Sequence, residues 1–266
     1  MHQQLSKVLF NEKIAPAYYK IGLSCSDRYG TAKPGQFIML RVAGQAEPLL
    51  RRPFSIHNLI ASNGAAEGLE LLYKVVGKGT AALALKKPGD IVDILGPLGT
   101  SFKVPRGARH IYIAGGGIGI APLFFLASQL RRQNVDLSNC RVFIGGRTQE
   151  DLLCLGDFAQ LGLNLQCTTD DGSAGDQCLV THPLEMAVER LAPDIIAACG
   201  PMAMLACIIG IAEKYGVLCQ VSIETMMACG MGACLGCAVE GREHRDRYLH
   251  ACLDGPVFDA DLLKIF

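Results

Sequence analysis

His110-Ile111-Tyr112-Ile113-Ala114-Gly115-Gly116-Gly117-Ile118-Gly119-Ile120-Ala121-Pro122 reads as an apolar strand, a glycine turn and the start of a helix that runs through Arg132. A strand that is apolar throughout is buried on both faces, as in a parallel sheet covered by helices. The same rhythm continues. Arg141–Ile144, Leu163–Thr168, Ile195–Ala198 and Leu218–Val221 read as strands, and Glu150–Leu161, His182–Leu191 and Met202–Tyr215 as helices. Residues 103–222 are therefore expected to form a parallel-sheet α/β domain. Gly115–Gly119 is not the G-x-G-x-x-G fingerprint, because Ile120 and Pro122 occupy the third-glycine positions. It still lets phosphates reach amides at a helix start. Taken alone, it also suits simple strand–helix packing. Cys199-Gly200-Pro201 ends a second apolar strand in the same way, so both turns can face one crevice. Cys199 then becomes a candidate to touch a nicotinamide rather than core filling.

Residues 1–102 have a different rhythm. Tyr18–Ser24, Gln36–Val42, Leu69–Val76 and Ile91–Leu95 are strand-like, and Lys33-Pro34-Gly35, Lys87-Pro88-Gly89 and Gly96-Pro97-Leu98-Gly99 punctuate them. Short strands at this spacing suggest a small antiparallel β-barrel. Residues 223–266 are short and rich in glycine and cysteine. A module of that size needs a metal or another staple.

The balance of the chain excludes several classes. Lys plus Arg number 25 and Asp plus Glu 25, with no basic block, which argues against nucleic acid. Thirty glycines in 266 residues exceed the usual share of ~7%. The uncharged runs 110–130 and 195–212 are interrupted by Gly115–Gly119 and by Gly200-Pro201, so neither reads as a membrane span. Residues 1–20 carry Lys7, Glu12 and Lys13 and do not read as a signal peptide. Twelve cysteines in such a chain suggest a reducing, cytoplasmic compartment where disulfides are rare.

Four of those cysteines are clustered. Cys229-x4-Cys234-x2-Cys237 is followed, after fourteen residues, by Cys252. This is the plant-type [2Fe–2S] spacing, in which one loop wraps a cluster and a distant thiolate closes it. Gly230, Gly232 and Gly236 permit tight turns that aim amides at sulfur. The competing reading is a structural zinc site, which ordinarily uses two matching cysteine pairs.

A further pair of motifs lies in the first third. Arg51-Arg52-Pro53-Phe54-Ser55 precedes Leu72-Tyr73-Lys74-Val75-Val76-Gly77-Lys78-Gly79-Thr80. An arginine, a hydroxyl and a glycine turn suit a diphosphate. By itself an Arg-Pro pair also suits a surface turn.

Taken in order, these motifs resemble the ferredoxin–NADP⁺ reductase-like flavoproteins. More narrowly, the chain is similar to the electron-transfer subunits of two-subunit, NAD-dependent dihydroorotate dehydrogenases. The most specific stretches are Met227–Cys237 and Cys252–Phe258. The resemblance implies an FAD-binding barrel over 1–102, an NAD-binding α/β domain over 103–222 and a [2Fe–2S] module over 223–266. It implies FAD on Arg52, Pro53, Phe54, Ser55, Leu72, Tyr73, Lys74, Gly79 and Thr80. Lys74 stands where an arginine is common, keeping the charge but losing the bidentate fork. Cys229, Cys234, Cys237 and Cys252 would ligate the cluster. Gly116, Gly117, Gly119 and Gly200 would bind NAD(H), with Cys199 and Glu224 as catalytic residues beside the nicotinamide.

The implied function is electron transfer between NAD(H), FAD and [2Fe–2S], to or from the FMN of a dihydroorotate dehydrogenase catalytic subunit, in pyrimidine biosynthesis. The implied assembly is a heterotetramer with two of each subunit, and the chain alone would show only diaphorase activity. Met226, Met227, Met231 and Leu235 would form the docking face. Thr169-Asp170-Asp171-Gly172-Ser173 could place a carboxylate by the adenosine ribose and favour NADH. Two rival readings are a related subunit of an NADPH–ferredoxin oxidoreductase or hydrogenase-type complex, and a zinc-stapled, non-enzymatic regulator.

Overall fold

The computed structural model describes residues 1–42, 49–62, 65–242 and 248–264. Of the expected cluster module, 243–247 and 265–266 lie outside the described residues.

The first six strands are β1 (His2–Ala15), β2 (Tyr18–Ser24), β3 (Phe37–Val42), β4 (Arg52–Ser62), β5 (Ala65–Lys74) and β6 (Ile91–Leu98). They form a closed barrel in the order β1-β2-β5-β4-β3-β6. Every neighbouring pair is antiparallel, and the pairs running from His2↔Gly96 to Lys7↔Ile91 close the ring. Closure removes the open edges that an antiparallel sheet would otherwise expose. Ile21, Leu23, Ile38, Ile56, Leu69, Leu71 and Ile94 fill the interior. A short helix, α1 (Lys78–Ala84), follows β5.

The second unit alternates β7 (Ile111–Gly116), α2 (Ile120–Arg132), β8 (Arg141–Gly146), α3 (Leu155–Gln160), β9 (Asn164–Thr169), α4 (Thr181–Arg190), β10 (Ile195–Cys199), α5 (Met202–Tyr215) and β11 (Cys219–Ser222). Strands β9-β8-β7-β10-β11 are parallel. The sheet is covered on both faces, as β7 shows. Tyr112 and Ala114 belong to one core, while Ile111 and Ile113 belong to the core on the other side. The expected helix over 150–161 is broken instead. A 3-10 turn at Gln149–Asp151 ends before Cys154, whose φ of 62° cannot continue a right-handed helix, and α3 starts only after it.

The last segment supplies a small hairpin, β12 (Ala238–Glu240) with β13 (Tyr248–His250), and then β14 (Val257–Asp259). β14 pairs antiparallel with β11 and completes the six-stranded sheet. Phe125 of α2 is fully buried in the barrel core. Truncating such a ring to alanine costs roughly 3–5 kcal/mol, so barrel and α/β unit are stabilised together. Among the described residues, no helix is long and apolar enough to cross a membrane.

Candidate functional site

A cavity of about 810 Å³ lies where the three parts of the chain meet. Its barrel wall is built by the two sequence motifs. Arg52, Pro53, Phe54 and Ser55 open β4, and Leu72, Tyr73 and Lys74 close β5. The Tyr73 ring is pinned edge-on by Phe54 at 6.0 Å and stacked by Tyr19 at 5.5 Å. Gly79 and Thr80 of α1 form the next stretch of wall. Thr80 Oγ1 accepts from the Val76 and Gly77 amides, at 2.9 and 3.2 Å, which ties down the turn between strand and helix.

Arg52 is exposed at the rim. Its neighbour Arg51 points inward to Asp93, which also pairs with Arg41. Asp93 is 2% exposed, so this buried carboxylate anchors the segment from which Arg52 projects. The Lys74 ammonium donates to the Tyr18 hydroxyl at 2.7 Å and lies 3.4 Å from Asp151. Donation to Tyr18, with the Asp151 charge beside it, raises its pKa and leaves a fixed cation at the cavity wall.

The opposite wall comes from the α/β unit. Its two glycine turns pack against each other, backbone to backbone. A Cβ on Gly119 would meet the Cys199 carbonyl oxygen at 2.4 Å, and one on Gly200 would meet the Gly116 amide at 3.0 Å. A Cβ on Gly116 would strike Met204 and Pro201. These three glycines are thus required by packing, and only Gly119 among them lines the cavity. Gly117 differs, with φ +52° and open space where a side chain would be. Cys199 borders the cavity, 3% exposed. Burial, with the Glu224 charge adding to it, pushes its thiol up to about 12, against a hydrogen bond with Ser222. A thiol this neutral is a packing and orienting group rather than a nucleophile. Glu224 also lines the cavity, and the protein crowding its carboxyl raises its pKa.

The third wall was not evident in the sequence. Ile223, Thr225, Met227 and Pro256 come from the C-terminal segment. Thr225 Oγ1 is buried without a hydrogen-bond partner. An orphaned hydroxyl beside an open cavity fits a polar ligand that supplies the missing bond. With Arg52, Lys74 and Lys78, the Thr80 turn and an aromatic wall, the cavity fits a flavin dinucleotide.

The cysteine loop starts two residues beyond Met227. Gly230 and Gly232 adopt φ of +72° and +81°, and the loop curls over the barrel, where a Cβ on Gly230 would collide with Met39. The curl aims amides at sulfur. Met231 N–H donates to Cys229 Sγ at 3.4 Å, and Gly232 N–H to Cys252 Sγ at 3.2 Å. Cys237 and Cys252 are buried, Cys229 is partly buried and Cys234 is exposed. Burial works to raise the Cys229 thiol, but donation from the Met231, Cys234 and Ala233 amides and the Cys234 thiol outweighs it and lowers the pKa. Cys252 is pushed up by burial and by the neighbouring Cys237. The sulfurs approach as two pairs, Cys237 with Cys252 and Cys229 with Cys234, and the amides aimed at them fit thiolates that ligate an iron–sulfur centre. Met226, Met231 and Leu235 surround the loop at 91%, 40% and 58% exposure, whereas Met227 packs inward.

The chain matches three family models in order: the oxidoreductase FAD-binding domain over 13–102, the oxidoreductase NAD-binding domain over 113–209, and the iron-sulfur cluster binding domain of dihydroorotate dehydrogenase B over 224–264. It therefore carries FAD-binding, NAD-binding and iron–sulfur domains of an NAD(H)-dependent oxidoreductase. It is 38% identical to the dihydroorotate dehydrogenase B (NAD(+)) electron transfer subunit of Desulforamulus reducens, over 95% of each chain. The same subunit of Caldanaerobacter subterraneus is also 38% identical, over 96% of each. In structure it is similar to the NADH-dependent reduced ferredoxin-NADP oxidoreductase, with TM-score 0.81 and 28% identity over 98% of this chain and 90% of that one. A ferredoxin NADP+ reductase from Neisseria gonorrhoeae shares the fold, with TM-score 0.67 over 81% of this chain and 92% of that one. Full-length identity and the three domains in order give one conclusion: the chain belongs to the family of electron transfer subunits of NAD(+)-dependent dihydroorotate dehydrogenase B.

Proposed function

We propose that the chain carries electrons between NAD(H), FAD and a [2Fe–2S] cluster, to or from the FMN of a dihydroorotate dehydrogenase catalytic subunit in pyrimidine biosynthesis. The observation that carries this reading is that the flavin motifs, the nucleotide turn and the residues leading into the cysteine loop all line one cavity. A bound flavin supplies the exchange between two-electron hydride chemistry and one-electron transfer. The protein's part is positioning. Arg52, Lys74, Gly79 and Thr80 hold the dinucleotide, with Pro53, Phe54, Ser55, Leu72 and Tyr73 shaping the flavin wall. Gly116, Gly117, Gly119 and Gly200 form the approach for NAD(H), and Cys199 and Glu224 orient the nicotinamide. Cys229, Cys234, Cys237 and Cys252 hold the cluster.

In this reading the chain divides into 1–102 for FAD, 103–222 for NAD(H) and 223–266 for the cluster. The exposed Met226, Met231 and Leu235 dock the catalytic partner, in a heterotetramer of two subunits of each kind. The compartment is the reducing cytoplasm, in keeping with a chain of twelve cysteines. The greater identity to the dihydroorotate dehydrogenase subunits than to the ferredoxin-NADP oxidoreductase favours this partner over a ferredoxin-linked complex. The test is co-purification followed by a coupled assay. NADH should reduce artificial dyes with the chain alone, and conversion between dihydroorotate and orotate should require the partner.

A further inference from the structure

A second cluster of polar side chains lies outside the cavity just described, at the seam between the barrel and the α/β unit. His57 on β4 is fully buried. Its ring is stacked on Phe124 of α2, with centroids 4.8 Å apart, and its Nδ1 is 3.1 Å from the Ala121 carbonyl oxygen. A carbonyl only accepts, so Nδ1 carries the hydrogen and Nε2 presents a lone pair. That lone pair faces Glu70 Oε1 of β5 at 3.5 Å and Cys154 Sγ at 3.9 Å. The Cys154 thiol donates to Nε2, and the ring is held by its stacking and its Nδ1 bond. Asp157, one turn along α3, completes the group: one ligand atom each from His57, Cys154 and Asp157 lies within 4.8 Å of the others.

We propose that His57 Nε2, Cys154 Sγ, Asp157 and Glu70 form a binding site for a divalent cation of the zinc class, bridging the two units. The donor set selects the ion. One thiolate, one imidazole and two carboxylates suit zinc, whereas calcium and magnesium take all-oxygen shells. Zinc–ligand bonds of ~2.0–2.3 Å in a tetrahedron put neighbouring ligand atoms about 3.5 Å apart. The sulfur–nitrogen and nitrogen–carboxylate separations here are 3.9 and 3.5 Å, and His57, Cys154 and Asp157 each place a ligand atom within 4.8 Å of the others, so small rotations bring these three to that size while Glu70 swings in from β5. The Nδ1 bond to Ala121 is the outer-shell contact that fixes a ligating imidazole. Charge also balances. Lys20 Nζ lies 2.9 Å from Asp157 Oδ2 and 4.0 Å from Glu70. With that ammonium kept as outer partner, a dication offsets one thiolate and two carboxylates. Binding forms a metal–sulfur bond and releases the Cys154 thiol proton to solvent. His57 and Glu70 come from the barrel, Cys154 and Asp157 from the α/β unit, so the ion would tie one to the other.

The test uses the complete protein with FAD and cluster in place, monitored by iron content and visible absorbance. Zinc is titrated against a chromophoric chelator, and bound metal is counted by elemental analysis. We expect one zinc per chain beyond the iron, at least a 10-fold loss of affinity in Cys154→Ser and His57→Gln, and none in Cys207→Ser, an exposed cysteine elsewhere. Anomalous scattering at the zinc edge from crystals of the unmodified protein gives a second readout that needs no variant, with a peak expected between His57 and Cys154. Absence of that peak, or unchanged zinc affinity in both variants, would show the four side chains to be a hydrogen-bonded interface only. The flavin and iron contents report separately on the proposed electron path.

Discussion

Cys237 and Cys252 bring their sulfurs to 3.3 Å of each other, although fourteen residues and a hairpin separate them. The fold thus returns the distant fourth cysteine to the loop that carries the other three. Replacing any one of the four should empty the site while leaving the flavin cavity intact. For Cys234→Ser we expect most of the iron to be lost and FAD retained. NADH should still bleach the flavin, while transfer to the natural acceptor should fail. Full iron and full activity in this variant would contradict the ligand assignment.

Thr80 joins strand to helix through its two amide contacts at 2.9 and 3.2 Å. Thr80→Val keeps the volume and orphans both amides. A lost cap of this kind costs about 1 kcal/mol, or roughly a 5-fold rise in the FAD dissociation constant if the turn is ordered only when bound. Fluorescence titration of the apoprotein with FAD measures it. An unchanged constant would remove Thr80 from the dinucleotide site.

Asp151 links the units beside Lys74. Burial works to raise its pKa, but donation from the Tyr18 hydroxyl and the Lys74 charge prevail, and its pKa is lowered. A carboxylate depressed in the folded state stabilises the fold above its unfolded value of about 4, and that stability disappears as pH falls through the folded value. We expect Asp151→Asn to lose about 1 kcal/mol at neutral pH and to show a flatter decline below pH ~4. Thermal melts across pH 2–7 would reveal it, and parallel curves for both proteins would exclude the effect.

Much of the architecture was legible because burial dictates pattern. Ile111–Ala114 and Ile195–Ala198 must be apolar on both faces, and α5 runs over the expected residues Met202–Tyr215. β1 was not legible. Its residues alternate weakly, and Lys7, Glu12 and Lys13 interrupt any apolar face. β4 lay hidden under the Arg52-Pro53 turn signal, which instead opens a strand. The break at Cys154 depends on a backbone conformation that local composition does not encode. At the site, the motif residues were readable because their spacing is local. Thr225, Met227 and Pro256 were not, because only tertiary packing brings them to the flavin wall. Asp93 likewise acquires its role from arginines distant in sequence.

The acidic turn after β9 gives a prediction about nucleotide choice. Asp171 Oδ1 is held by Ser173, through its amide at 2.9 Å and its hydroxyl at 2.6 Å. Its other oxygen and the exposed Asp170 are the groups that could meet an adenosine ribose. A carboxylate there binds a 2′-hydroxyl and repels a 2′-phosphate. We expect kcat/KM for NADH to exceed that for NADPH by 10-fold or more, and the double change Asp170→Ser with Asp171→Ser to narrow the gap. Equal kcat/KM for both nucleotides in the unmodified protein would count against this role.

The most direct measurement is anaerobic NAD⁺ reduction by dihydroorotate, followed at the NADH absorbance, with the purified chain alone and after adding its catalytic partner. In the proposed reading the flavin barrel, the nucleotide unit and the cluster segment carry electrons only, as in the electron transfer subunits the chain is similar to, and the dihydroorotate site belongs to the catalytic partner. We therefore expect dye reduction by NADH but no orotate from the chain alone, and coupled orotate and NADH formation once the partner is present. The coupling should be lost again when the cluster is removed in Cys234→Ser. Orotate formation by the isolated chain, or coupling that survives loss of the cluster, would contradict the proposed path between NAD(H) and a separate catalytic subunit through flavin and cluster.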